Sequence, residues 1–279
     1  MKIGFFNKRL IQEYYSILSA LSVITSLIFI FIDISAKYKI FIGLVTLTIL
    51  IAVYIGRWIY ANKRTIIHLS IASSSVEIKY GDLFNEDGLK VIAFNEYFDT
   101  KVDEKVIASS TLNGFYIREK IEDIRAFDEQ INTDSHLSKR IKQVNYNRNA
   151  GKRTSYKLGS IFVHNDFLLT AFSHFDDDNR AYLTMQDYIN FLLEFWNEVD
   201  IRYAGRTVVI PLLGSGITRF KGCSISEQEL LELLLWSFKT SRIKFRYPSK
   251  LKIVLDIGQR DKISLSQLTI FDDKKTDHI

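Results

Sequence analysis

The sequence predicts a three-layer α/β/α domain with a mixed sheet, preceded by a hairpin of two transmembrane helices. Three observations carry this prediction. The chain opens with two long apolar stretches separated by a short polar turn. Beyond residue 65, strand-like and helix-like runs alternate after a start of two or so strands. One of those runs, "VVIPLLGSGITRF", joins a strand to a helix through glycines, where open α/β sheets place ligands.

Taken in order, the first apolar stretch is Tyr14 to Ile32, nineteen residues without a formal charge. The second is Ile40 to Gly56, seventeen residues. A bilayer core of about 30 Å requires roughly 17 to 25 apolar helical residues, so both qualify. Tyr14, Tyr15, Trp58 and Tyr60 stand where interfacial aromatics belong, and Arg57 is placed to snorkel. A signal peptide would have a shorter apolar region and a cleavage site, and a second span would not follow at once. Lys2, Lys8 and Arg9 before the first span, with Arg57, Lys63 and Arg64 after the second, outweigh Lys37 and Lys39 between them. The positive-inside rule then puts both termini in the cytoplasm. The single Cys223 cannot form an intrachain disulfide, as suits a reducing compartment. In the first span Ser22 and Ser26 have the small-xxx-small spacing that permits close helix approach, or they serve their own helix carbonyls.

"IIHLSIASSSVEIKYGD" alternates as a strand or hairpin, with Ile66, Ile71, Val76 and Ile78 as inward candidates. "KVIAFNEYF" begins as a buried strand. "VDEKVIASSTLNG" reads as a helix ending near Gly114, "FYIREKIEDIRAFDEQI" as a second helix, and "TDSHLSKRIKQV" as a short third. "YKLGSIFVHN" and "FLLTAFSHF" read as strands joined through Asn165-Asp166. "TMQDYINFLLEFWNEV" is a helix capped by Thr184, "RTVVIPLL" a strand, and "SEQELLELLLWSFKTS" a helix opened by a Ser226/Glu229 capping box. "KLKIVLDI" is a last buried strand, and the polar tail after residue 267 reads as loose.

The net charge of +5 is mild and does not imply nucleic acid. From Lys139 to Lys157, however, seven basic residues occur with no acidic one. This run is either a solvated surface or a contact for anionic headgroups or a phosphorylated ligand. The five histidines are scattered, and Asp176–Asp178 reads as a solvated loop ahead of a cation site. Ser215 is no nucleophile elbow, because residue 213 is Leu. Gly214 and Gly216 remain: glycine lets backbone N–H groups surround an anion without a Cβ in the way. Asp82, after one strand, and Asn95, at the end of the next, complete a nucleotide-shaped cleft.

The order Gly81-Asp82-Leu83, strand, Asn95 and, much later, "PLLGSGI" resembles the macro domain. "VIAFNEYFDTKVDEKVIASSTLNG" and "IPLLGSGITR" look like the divergent macro domain that follows two transmembrane helices in Thoeris anti-phage defence effectors. The resemblance divides the chain into a transmembrane region at 1–64 (spans about 14–34 and 40–60), a macro-like domain at 65–267 and a tail at 268–279. It implies a ligand, an ADP-ribose derivative such as histidine-ADP-ribose, made by a TIR-domain partner. It also implies no resident cofactor, catalytic residue or metal, assembly into homo-oligomers, and disruption of bacterial membrane lipid. By position, Asp82 would meet the adenine amino group and Leu83 the ring through its backbone. Asn95 would lie near the distal ribose, and Gly214, Ser215, Gly216 and Ile217 would wrap the pyrophosphate. The glycine run that hydrolytic macro domains carry after the Asn is replaced here by "FDTKVDEKVIASSTLNG". Phe98, Asp99 and Thr100 are therefore expected at the distal end of the ligand. A binder is expected, with a membrane-tethered ADP-ribosyl hydrolase as the alternative.

Overall fold

A computed structural model describes residues 5, 6, 8–31 and 35–276. Lys2, residues 32–34 at the end of the first expected span, and His278 in the tail lie outside the described residues, as do the side chains of Lys8 and Arg9. The chain separates into two compact units, Met1–Thr65 and Ile66–Ile279.

The first unit is two helices, α1 (Lys8–Phe31) and α2 (Ala36–Lys63). Their segments Leu10–Phe31 and Lys37–Lys63, 22 and 27 residues, are long and apolar enough to cross a bilayer. At 1.5 Å per residue they span about 33 and 40 Å. Aromatic side chains join them: the Tyr14 hydroxyl donates to the Leu50 carbonyl at 3.1 Å, and the Tyr14 and Tyr54 rings lie 5.1 Å apart. Ser16, Thr46 and Thr48 bond carbonyls of their own helices, while Ser22 and Ser26 are exposed.

The second unit is a nine-stranded mixed sheet in the order β1-β2-β11-β9-β3-β7-β8-β10, with β6 also on β7. The strands are β1 (Ile66–Ile71), β2 (Ser74–Tyr80), β3 (Leu89–Asn95), β6 (Ile161–His164), β7 (Phe167–Phe175), β8 (Ala181–Thr184), β9 (Val208–Pro211), β10 (Arg219–Lys221) and β11 (Leu251–Leu255). A separate ribbon pairs β4 (Ile141–Val144) with β5 (Thr154–Tyr156). β2, β11, β9, β3 and β7 run parallel, so their carboxyl ends share one edge. β1, β6 and β8 are antiparallel additions made through short hairpins.

Because side chains alternate across a strand, each central strand feeds two cores. Val91, Leu168, Val208, Ile210, Leu251 and Ile253 face α5 (Met185–Arg202) and α6 (Glu227–Thr240). Ile92, Leu169, Val209 and Val254 face α3 (Leu112–Lys120) and α4 (Ile124–Thr133). Near-continuous apolar runs are what a parallel sheet covered on both faces demands. Both expected caps are present: Thr184 with Asp187, and Ser226 with Glu229, each close a capping box.

Several local expectations are corrected. No helix spans 102–113. Asp103 accepts from the Val106 N–H at 2.8 Å, and Glu104 accepts from the Ser109 N–H at 3.0 Å. Carboxylates that bond backbone N–H groups compete with helix formation, so α3 starts only at Leu112. The single helix expected across 115–131 is two, because Asp123 caps a fresh start through the Arg125 and Ala126 N–H groups. "LSKR" is one 3-10 turn and "IKQV" is strand β4. Ile66 is exposed, at the outer edge of β1. The tail is not loose at its beginning: Leu268 is fully buried, and Asp272 accepts from the Ser70 N–H at 3.0 Å. Asp273, the first residue of α7 (Asp273–Thr276), accepts from the Ala72 N–H at 2.6 Å. These carboxylates occupy one N–H on the open edge of β1 and one in the turn that follows it, which blunts that end of the edge against strand addition.

On β2 and β11 a charged ladder ties neighbouring strands: Lys79 and Lys252 reach Glu86 at 2.6 and 3.0 Å, and Lys250 reaches Glu77. Burial pushes both carboxyls up, and the lysines more than offset it, so both sit below the ordinary value of 4.5. Folded-state values below the unfolded ones mean stabilisation that is present above that value and lost as pH falls through the folded-state value. Glu86→Gln is expected to cost about 1 kcal/mol at neutral pH. Chemical denaturation across pH should show the gap to wild type closing as the pH falls below 4.5.

Candidate functional site

The carboxyl edge of the parallel strands opens into a cleft of about 730 Å³ that is open to solvent. Its floor is the end of β3 and β7: Ala93, Phe94, Asn95, Phe172, Ser173 and Phe175. One wall is the loop that leaves β9, from Leu212 to Thr218. The other is the 106–108 segment with the first turn of α3, Thr111 to Asn113.

The β9 loop follows from its residues. Leu212 and Leu213 are buried and anchor it. Gly214 takes the left-handed φ of +92°, and a Cβ there would lie 3.2 Å from the Phe220 ring, so both backbone and packing call for glycine. Ser215 turns away from the cleft, its hydroxyl donating to the Leu212 carbonyl at 2.8 Å. Gly216 differs: a Cβ there would meet no atom within 4 Å, because the position faces open cleft. The N–H groups of Gly216 and Ile217 find no hydrogen-bond partner among the described residues. Ile217 is 64% exposed at the rim.

The opposite wall depends on Gly114 and Thr111. Thr111 caps α3 by accepting from the Gly114 N–H at 3.2 Å, which sets the start of the helix at the cleft. A Cβ on Gly114 would overlap the Ala108 carbonyl, so only glycine lets the loop lie on the helix start. The cleft is thus lined by apolar, hydroxyl and amide side chains and by backbone, without an ionisable group among the described lining residues. Any anion held here would be met by backbone N–H groups and by the partial positive charge at the start of α3.

Of the residues singled out in the sequence, Asn95, Gly214, Gly216 and Ile217 line the cleft. Asp82 and Leu83 lie on the same carboxyl edge, beyond β9, where β2 ends. Asp82 caps a 3-10 turn, accepting from the Phe84 N–H at 2.9 Å and the Asn85 amide at 3.0 Å. The Leu83 side chain is buried in the α3/α4 core. Phe98, Asp99 and Thr100 do not line the cleft. Phe98 is fully buried against Phe94 and Tyr156, Asp99 is 1% exposed, and Thr100 donates to Asp128 at 2.8 Å. The core-facing Phe98 ring and the inward Asp99 carboxylate fold this replacement loop back onto the protein.

The basic 139–157 run is also largely consumed inside the fold. Arg140 pairs with Glu194 at 3.0 Å, Lys142 with Glu96 at 3.4 Å, Arg148 with Asp99 at 2.6 Å and Lys152 with Asp128 at 2.6 Å. The Asp176–Asp178 loop is self-contained, with Asp176 accepting from the Asp178 and Arg180 N–H groups. No cluster of metal-ligating side chains occurs among the described residues. Sequence reasoning missed the wall from Val106 to Asn113, Ser173 and Phe175. Thr111 followed three residues later by Gly114 was the available signal for the helix start.

The family profile described as "Thoeris protein ThsA, Macro domain" matches residues 76–256. A Thoeris protein ThsA of Bacillus amyloliquefaciens (strain Y2) is 41% identical over 247 residues, covering 87% of this chain and 82% of that protein. Among solved structures, the Oceanobacillus iheyensis macrodomain with ADP aligns at a TM-score of 0.47 and 12% identity, over 77% of this chain and 98% of that one. A point variant of that macrodomain with ADPR aligns at 0.48 and 14%, over 74% and 97%.

The two glycines on facing walls are predicted to respond oppositely to the same added methyl. Gly114→Ala should lose about 1–3 kcal/mol from overpacking against Ala108. Gly216→Ala should stay within about 0.5 kcal/mol of wild type. Thermal unfolding of the two variants measures both.

Proposed function

The chain belongs to the Thoeris ThsA macro-domain family, and we propose that its second unit binds an ADP-ribose-derived signal while the two apolar helices form a membrane output. Histidine-ADP-ribose, made by a TIR-domain partner, is the form of the signal we favour. The observation that carries this reading is the cleft itself: a neutral, largely apolar groove lined on one wall by Gly216 and Ile217, whose N–H groups have no partner among the described residues, and on the other by the start of α3. Such a groove recognises an anion through backbone, as a pyrophosphate between two apolar-faced nucleosides requires. In this reading Gly214, Ser215, Gly216 and Ile217 wrap the pyrophosphate. Asp82, whose two oxygens each retain acceptor capacity beyond their present bonds, takes the adenine amino group. Asn95 lies at the distal ribose.

In this reading the two apolar helices, each long enough to span a bilayer, anchor the chain in the bacterial cell membrane, with both termini and the macro domain on the cytoplasmic side. Signal binding favours assembly of several copies, and the gathered hairpins disrupt the bilayer as an abortive-infection response. A ligand drives such an assembly only by its differential affinity, about 1.4 kcal/mol for each tenfold shift. The neutral lining favours retention of the signal over its hydrolysis, since general acid–base chemistry draws on an ionisable group in reach of the substrate.

Two experiments test this function. Gly216→Val should weaken binding of ADP-ribose and of histidine-ADP-ribose by more than about tenfold in calorimetry, because its branches enter the anion space. Unchanged affinity would remove the cleft assignment, and release of free ADP-ribose from a modified substrate by the wild type would favour the hydrolase instead. Residues 66–279 expressed alone should bind the signal yet lose toxicity in cells that make it. Toxicity of that truncated form would place the effector in the wrong half.

A further inference from the structure

Asn95 is the one polar side chain at the end of β3 that both lines the cleft and is almost fully buried, at 2% exposure. Its amide is held at every group but one. Oδ1 accepts from the Tyr97 N–H at 2.9 Å and the Asp99 N–H at 3.3 Å. Nδ2 donates to Asp99 Oδ2 at 3.0 Å. An amide has two N–H groups and one oxygen, so with Oδ1 doubly engaged, the second Nδ2 hydrogen is what Asn95 has left to offer. The two backbone donors on Oδ1 and the carboxylate on Nδ2 exclude the flipped amide, which would set N–H against N–H and oxygen against oxygen.

The carboxylate that enforces this is itself over-determined. Asp99 Oδ1 accepts from Arg148 Nη1 at 3.1 Å and from the Lys152 N–H at 2.6 Å; Oδ2 accepts from Arg148 Nη2 at 2.6 Å. This is the bidentate fork that a guanidinium makes and an ammonium cannot. Arg148 is fixed in turn: Nη1 donates to the Lys152 carbonyl at 2.6 Å, Nη2 donates to Asn179 at 2.8 Å, and the guanidinium lies 3.9 Å from the Tyr97 ring centre. The side chains of Arg148 and Asp99 are only 7% and 1% exposed. Gly151 completes the seat, since its φ is +85° and a Cβ there would overlap both Asp99 and Arg148. Arg148 does not line the cleft.

We propose that Arg148 is a positioning residue for the binding site: through Asp99 it fixes the Asn95 amide so that the cleft is offered a hydrogen-bond donor and no acceptor at that point. The site therefore selects a ligand with a lone pair there, a hydroxyl or phosphate oxygen, and rejects one that presents only a donor. This deepens the ADP-ribose reading, and it rests on that reading only for the identity of the ligand.

The test uses the full chain in detergent micelles with two readouts. The first needs no ligand: ¹⁵N-asparagine labelling follows the Asn95 side-chain NH₂ pair, assigned by its loss in Asn95→Ala. In the wild type the two hydrogens should be widely split and slow to exchange. Arg148→Met and Arg148→Lys should collapse that splitting, whereas Arg140→Met, which breaks the Glu194 pair of the same segment, should leave it intact. The second readout is affinity for ADP-ribose. Arg148→Lys should weaken it about tenfold in the wild-type background and not further in an Asn95→Ala background, the non-additivity of residues that act as a unit. An unmoved Asn95 signal in both Arg148 variants overturns the proposal, and so does an equal loss of affinity with and without Asn95. Should the wild type fail to bind ADP-ribose, the ligand reading falls while the amide signal still decides the role of Arg148.

Discussion

The Asp99 carboxylate is the point on which this domain's binding edge depends. It accepts from the Arg148 fork, from the Lys152 N–H and from the Asn95 amide, and it does so almost entirely out of water. A buried carboxylate is tolerable only when its lone pairs are filled, and here four donors fill them. The consequence is architectural. The segment after β3, the 139–157 ribbon and the β7–β8 turn at Asn179 come from distant parts of the chain, and one ion pair gathers them beside the cleft. Breaking it would leave an uncompensated charge in the interior, so the three segments stand or fall together.

Around that anchor the cleft is made from neutral parts. Parallel strands end together at one edge, the edge exposes loops, and the loops carry backbone N–H groups in place of lysines or arginines. Gly214 and Gly216 illustrate how neighbouring glycines serve different needs. The first is required by its φ and by the Phe220 ring against it. The second has empty space where a Cβ would stand. Structural necessity explains Gly214, whereas neither backbone conformation nor packing requires a glycine at 216.

The basic run from Lys139 to Lys157 shows how composition misleads. Seven cations without an acidic neighbour in sequence suggest an anionic partner, yet Asp99, Glu96, Asp128, Glu194 and Glu198 reach four of them, Arg140, Lys142, Arg148 and Lys152, from elsewhere in the fold. For those four the partner is the protein's own carboxylates. The segment after Asn95 follows the same pattern: Phe98, Asp99 and Thr100, expected toward the ligand, are drawn inward by aromatic packing, by Arg148 and by Asp128.

What the sequence determined by itself was everything with a short period or a local partner. The two apolar helices, the alternating strands, the Asn165-Asp166 hairpin, the Thr184 and Ser226 caps and the glycine turn after β9 all follow from residues within a few positions of one another. Tertiary structure alone decided what depends on partners far apart in the chain. Asp272 and Asp273 came some two hundred positions to blunt one end of the edge of β1. Asp99 met Arg148 forty-nine residues away and settled which face of Asn95 meets the cleft. Periodicity is written along the chain, but the pairing of buried charges is written only in space, because desolvation makes each such group seek whatever donor the fold brings near.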